Sequence, residues 1–208
     1  VHAAVVVAGG RSTRFGERDK ATASLAGTPL VRRVADRLVG PIDELVVNCR
    51  PAQRAAIERA LDGYPHPMTY ALDGPERADE GPLAGMHAGL TAASAERAFV
   101  VACDVPFVDP SFVRHLFDRA AGRDAAVPRR DGYDEPLHAV YRVAAARDAC
   151  ADALDAGERR ADAVLGELDA SAVTEREVRT HAAPGTFENL NTRAAFDAAE
   201  ERLRDRRG

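Results

Sequence analysis

At 208 residues the chain is long enough for one sizeable hydrophobic core and too short for two large independent domains, so a single domain over 1–208 is expected. Hydrophobic residues make up 46% and charged residues 29%, an ordinary soluble balance that disfavours both wholesale disorder and a membrane protein. The formal net charge of −5 argues against a nucleic-acid partner, because phosphate-tracking surfaces show as a basic surplus or stripe. No apolar run approaches a bilayer span, and the opening VHAAVVVAGG lacks a basic leader ahead of a signal-type apolar segment. A cytoplasmic location without membrane contact is the expectation. Cys49, Cys103 and Cys150 stand too far apart for a disulfide framework or a zinc pair, and the six histidines form no HxxxH or HExxH pattern.

Short apolar runs at 3–8, 44–49, 68–72 and 98–103 have the length of buried strands. Helical patterns lie between them. Over 28–38 the spacing predicts a helix with Thr28 as N-cap and Pro29 in the first helical position, its inner face formed by Leu30, Val31, Val34 and Leu38. Gly81-Pro82 reads as a helix start, with Gly85 and Gly89 allowing close packing on a sheet. Over 109–120 the design repeats, with Asp109 as cap and Pro110 next. This alternation predicts an α/β fold of right-handed βαβ units around a mostly parallel sheet through about residue 120. Beyond it, 136–141 reads as a strand after a Gly-containing turn, 144–157 as a helix, 170–178 as a weaker strand, and 191–206 as a closing helix.

In open α/β sheets ligands gather at the carboxyl ends of strands, and four unusual segments fall there: AGGRSTRFGERDK, NCRP, LDGPERADEGPLAG and CDVPFVDP. In the first, Gly9 and Gly10 let backbone N–H groups approach an anion, while Arg14 and Lys20 supply charge. The alternative is a solvated glycine loop. Lys20 weighs against it, being the one lysine among 28 basic residues, in a chain that otherwise uses arginine. A compact ammonium rather than a planar fork is implied. Asp104, at the end of its strand, suits a Mg²⁺ ligand opposite a phosphate, and equally suits a turn cap before VDP. Cys103 beside it reads as a small buried residue rather than a nucleophile.

VAGGRSTRFGERDK, GPLAG at 81–85, CDVPF at 103–107, GERR at 157–160 and NLNT at 189–192 together resemble, in order and approximate spacing, the molybdenum cofactor guanylyltransferases. That resemblance implies a three-layer, Rossmann-like nucleotidyltransferase fold with a mostly parallel central sheet. It implies transfer of GMP from GTP to the terminal phosphate of molybdopterin, with pyrophosphate released and Mg²⁺ as cofactor. Val7, Ala8 and Gly9, with Gly10, are similar to the guanine-reading edge, Arg14 and Lys20 to the triphosphate cations, and Asn48 and Asp73 to base and ribose contacts. Asp104 resembles the magnesium ligand, and Arg160, Asn189 and Asn191 the molybdopterin side. The nucleotide part would cover about 1–120 and the acceptor part about 121–208, with transient contact to proteins that supply or receive the cofactor. The family's usual leucine before AGG is Val7 here, Phe15 replaces a common methionine, and Glu17 adds charge beside the phosphate loop. A cytidylyltransferase on the same acceptor, a guanylyltransferase on another phosphorylated metabolite, and a non-catalytic GTP-binding assembly partner are the competing readings. For GERR and NLNT the alternatives are an exposed helix end and a cap on the last helix, by Asn191 or Thr192.

Overall fold

A computed structural model of the chain describes residues 1–10, 19–74 and 81–205. In chain order the elements are β1 (His2–Val7), β2 (Ser24–Leu25), β3 (Thr28–Pro29), α1 (Leu30–Leu38), β4 (Glu44–Cys49), α2 (Pro51–Ala60), β5 (Met68–Leu72), α3 (Pro82–Ala92), β6 (Arg97–Ala102), α4 (Pro110–Arg119), β7 (Ala125–Arg130), β8 (Tyr133–Asp134), β9 (His138–Arg142), α5 (Val143–Asp155), β10 (Ala170–Val173), α6 (Glu175–His181) and α7 (Arg193–Asp205). Short 3₁₀ turns cover Lys20–Thr22 and Ala161–Glu167.

The main sheet runs β10-β7-β9-β6-β1-β4-β5, with β8 paired to β7. The pairs β5–β4, β4–β1, β1–β6 and β10–β7 are parallel, and β9 runs against both β6 and β7. The mostly parallel α/β sheet expected from the alternation is therefore present. After β5 the chain crosses back to β6 on the other side of β1, so β1 marks the switch point where loops splay apart and leave a crevice. Apolar side chains of alternate parity along β1, β4 and β6 feed two cores. On one face Leu83, Met86 and Leu90 of α3 pack with Ala146 and Cys150 of α5. On the other lie Val31 and Val34 of α1, Ile57 of α2, Phe112 and Leu116 of α4, and Val178 of α6. A smaller cluster of Leu25, Leu30, Leu190 and Phe196 seats α7. None of the described helices is long and apolar enough to cross a membrane.

Two of the boundaries that differ from the sequence expectation have clear local reasons. Thr28 does not cap α1: Ala26 and Gly27, at φ 48° and 85°, make a tight turn that pairs Thr28 with Leu25, so Pro29 takes the cap position and α1 starts at Leu30. The weak strand at 170–178 stops at Val173, because Thr174 and Glu177 form a reciprocal capping box that opens α6. Asp109 caps α4 as expected, accepting from Ser111 N at 2.9 Å. Gly85 and Gly89 pack as expected too: a Cβ on Gly89 would overlap Val5, and one on Gly85 would overlap Asn48 and Val7.

Candidate active site

The carboxyl ends of β1, β4, β5 and β6 converge, and the backbone after β1 threads between its neighbours. The Cys103 N–H donates to Val7 O at 3.1 Å and the Ala8 N–H to Asn48 O at 2.9 Å. Gly9 lies against Asn48 and Asp73 so closely that a Cβ there would collide with both side chains. Asn48 is fully buried. Its Nδ2 donates to Asp73 Oδ1 at 2.6 Å and to Ala71 O at 3.2 Å, while its Oδ1 has no partner among the described residues. Loop Gly9 and helical Gly85 thus grip one asparagine from two sides, each glycine required by space rather than by φ.

Lys20 reaches the same crevice from the 3₁₀ turn that Asp19 caps, with Asp19 Oδ1 accepting from Ala21 N at 3.0 Å. Its ammonium donates to Asp104 Oδ2 and to Asn191 Oδ1, both at 2.5 Å, and the Lys20 and Asp104 side chains are only 12% and 14% exposed. The Leu190 N–H donates to Asp104 O at 3.0 Å, which pins the NLNT segment to the end of β6. Asp104 Oδ1 is buried with no hydrogen-bond partner among the described residues. A buried, orphaned carboxylate oxygen is an acceptor that a ligand or cation can satisfy. Thr192 Oγ1 takes the capping role at α7, accepting from Ala195 N at 3.1 Å, and Asn191 is thereby left to Lys20.

Beside this cluster opens a cleft of about 610 Å³, lined among others by Pro82, Tyr133, His138, Arg160, Phe187 and Asn189. Arg160 is 81% exposed on its rim, with its guanidinium paired to Asp162 at 2.5 and 3.0 Å. The Leu83 N–H donates to Arg159 O at 3.3 Å, so the GPLAG and GERR segments touch. His138 is buried among Phe99, Phe112 and Phe187, and neither ring nitrogen has a partner among the described residues. Burial, with the Arg130 charge second, pushes its pKa down to about 3, so the imidazole is neutral near pH 7. Burial pushes the thiols of Cys49 and Cys150 up to about 11 and 12, and Cys103 higher still. These cysteines are thiols rather than nucleophilic thiolates.

Val7, Ala8, Gly9, Gly10, Lys20, Asn48, Asp73 and Asp104 therefore meet at one end of the sheet, with Asn191 joining them. Arg160 and Asn189 stand on the neighbouring cleft instead, so two asparagines only two residues apart serve different parts of the crevice. Arg14, with Phe15 and Glu17, lies outside the described residues. Sequence reasoning missed Asp19, Arg50 and Gln53, which brace this end of the sheet. Pro51 followed by Gln53, two residues on, was the available sign of a helix N-terminus.

The mostly parallel sheet with helices on both faces, carrying the Lys20–Asp104 pair at its carboxyl end, is the fold of the Rossmann-like nucleotidyltransferases. The 2-C-methyl-D-erythritol 4-phosphate cytidylyltransferase of Thermus thermophilus shares this fold, at a TM-score of 0.70 and 17% identity over 98% of the chain and all of that structure. A family model described as the MobA-like NTP transferase domain matches residues 4–172. A probable molybdenum cofactor guanylyltransferase of Natronomonas pharaonis is 44% identical over 199 residues, 96% of each chain, and one from Haloferax mediterranei is 37% identical over 91% of this chain and 89% of its own. The structure of molybdopterin-guanine dinucleotide biosynthesis protein A from Archaeoglobus fulgidus superposes with a TM-score of 0.78 at 29% identity, covering 99% of this chain and 100% of that one. The chain belongs to the MobA-like NTP transferase family, the family of the molybdenum cofactor guanylyltransferases, and is a nucleotidyltransferase.

Proposed function

We propose that the chain transfers GMP from GTP to the terminal phosphate of molybdopterin. A phosphate oxygen of the acceptor forms a new bond to the α-phosphorus, and the bond from that phosphorus to the bridging oxygen breaks, so pyrophosphate leaves with the electron pair. The acceptor is already ionised, and no general base is needed. The observation that carries this reading is the part-buried bridge of Lys20 to Asp104 and Asn191, set between the glycine-gripped end of β1 and the cleft. The part spanning about 1–120 holds the nucleotide and that spanning about 121–208 the acceptor. A cytoplasmic location agrees with GTP as the donor.

The residues divide the work by chemistry. Val7, Ala8, Gly9 and Gly10 offer the base a rigid backbone edge, and Asn48 with Asp73 offers buried hydrogen-bonding groups beside it. Lys20, with Arg14, draws charge onto the departing pyrophosphate. Arg160 and Asn189 orient the acceptor from the cleft, and Asn191 holds the lysine in register until the triphosphate competes for it. Mg²⁺ fits Asp104, whose Oδ1 has no partner among the described residues and whose Oδ2 already holds a cation, because this ion commonly binds one or two carboxylates plus substrate phosphates. When bound it supplies charge neutralisation at the phosphates.

The test is thermal melting with GTP, CTP, ATP and UTP, each with and without Mg²⁺. A ligand that binds only the folded chain stabilises it by about 2.7 kcal/mol at a hundred times its Kd, worth about 5–11 °C in a domain of this size. A shift confined to GTP with Mg²⁺ is expected. A shift confined to CTP would move the enzyme to cytidylyl transfer, and no shift with any nucleotide would overturn the reading.

A further inference from the structure

Gln53 is a buried polar side chain, 3% exposed, in the first turn of α2. Its Oε1 accepts from Arg50 N at 2.8 Å and from Arg50 Nε at 3.2 Å, and its Nε2 donates to Ala8 O at 3.0 Å. Only this orientation of the amide satisfies all three, since the first two partners are donors and the third an acceptor. Arg50 also reaches Asp19 Oδ2 at 3.4 Å, and Asp19 caps the turn that starts at Lys20. A continuous polar chain thus runs from the backbone after β1 to the base of the lysine.

The Ala8–Gly9 peptide is planar and trans, so the Gly9 N–H must point opposite to the Ala8 carbonyl. Among the described residues, no backbone acceptor meets the N–H of Gly9 or Gly10. Glycine is conformationally permissive, and a peptide that precedes it turns over at low steric cost. A turned-over peptide would show the nucleotide a carbonyl oxygen where an N–H had been.

We propose that Gln53 is a positioning residue that pins the Ala8–Gly9 peptide, so that the Gly9 N–H is held as a fixed donor for the nucleoside triphosphate. The identity of that ligand rests on the function proposed above. Arg50 is the second layer of the device, fixing the Gln53 amide and tying it to the Lys20 turn.

The experiment uses the whole chain, with Gln53→Met, which fills the volume and forms neither bond, and Gln53→Glu, which keeps the acceptor for Arg50 and loses the donor. Both variants should displace the Gly9 amide resonance in the free protein. Both should raise the Kd for GTP about tenfold, with kcat at saturating GTP within about twofold of wild type, the weight of one lost hydrogen bond. An unmoved Gly9 resonance, or an unchanged Kd in a variant that melts near wild type, would overturn the proposal. Should neither variant fold, the wild-type protein decides: a through-bond coupling between Gln53 Nε2 and the Ala8 carbonyl carbon is expected, and its absence refutes the pin. Failure of wild type to bind any nucleotide would instead overturn the guanylyl-transfer reading, and the ligand with it, while the coupling still tests the peptide lock on its own.

Discussion

Lys20 is the one lysine of the chain, and its surroundings explain why arginine would not serve. Its ammonium sits 2.5 Å from an oxygen of Asp104 and 2.5 Å from an oxygen of Asn191, in a site where only 12% of the side chain meets solvent. A guanidinium is wider, planar and fixed in its donor directions, so it cannot close the same two contacts at the same depth. Lys20→Ala and Lys20→Arg should each lower kcat/KM for GTP by about a hundredfold or more, the scale of removing one preorganised donor to a developing charge. Their melting temperatures should stay within a few degrees of wild type. Activity of Lys20→Arg near wild type would show that charge alone suffices. The choice of lysine was visible in the composition, whereas its two partners were not. Asp104 lies 84 residues away and Asn191 171, and only the fold brings them together.

At the scale of elements, the glycines of α3 separate packing from function. Helix propensity alone favours alanine over glycine by about 1 kcal/mol. Gly89 nevertheless faces Val5 of β1 so closely that a Cβ would overlap its branched side chain, and Val5 is fully buried. Gly89→Ala should therefore destabilise by about 1–3 kcal/mol, the usual cost of overpacking, with little change in nucleotide Kd. Gly85→Ala pushes on Asn48 and Val7 instead and should weaken GTP binding as well as stability. Denaturant titration and calorimetric binding of the two variants separate these effects, and equal Kd values in both would remove the link between α3 and the site. The same helix was legible in the sequence because Gly81-Pro82 marks its start. Parallel strands β1, β4, β5 and β6 were legible as continuous apolar runs. Elements whose signal is mixed were not. β7 carries Pro128 and two exposed arginines, α2 buries only Gln53 and Ile57, and α6 follows β10 after a single capping residue, so its residues blurred into the strand.

Across the whole molecule, the ends of four strands from different parts of the chain converge, and this much followed from the alternation of strand and helix and the rule that ligands gather at carboxyl ends. What did not follow was the tie between the last segment and the sheet. Phe187, just ahead of Asn189 and Asn191, packs on the ring of His138 at 4.4 Å between centroids, while Phe99 and Phe112 surround the ring from the sheet and α4. An imidazole in this aromatic box is neutral in the native state, its pKa pushed down to about 3, against about 6.5 in an unfolded chain. Between those values the unfolded chain takes up a proton that the native state refuses, so stability falls as pH falls; above about 6.5 the contribution is complete. The slope approaches about 1.4 kcal/mol per pH unit, which makes about 2 kcal/mol between pH 7 and pH 5. The carboxylates held low by their partners, such as Asp43, Asp124 and Glu177, act at lower pH, because the unfolded chain protonates them only near pH 4. His138→Leu should flatten the dependence of unfolding free energy on pH between 7 and 5 by about that 2 kcal/mol, whatever it does to stability at pH 7. A variant that keeps the wild-type slope would mean that the box opens to let the ring protonate, and that the segment bearing Asn189 and Asn191 is not fixed to the sheet through it.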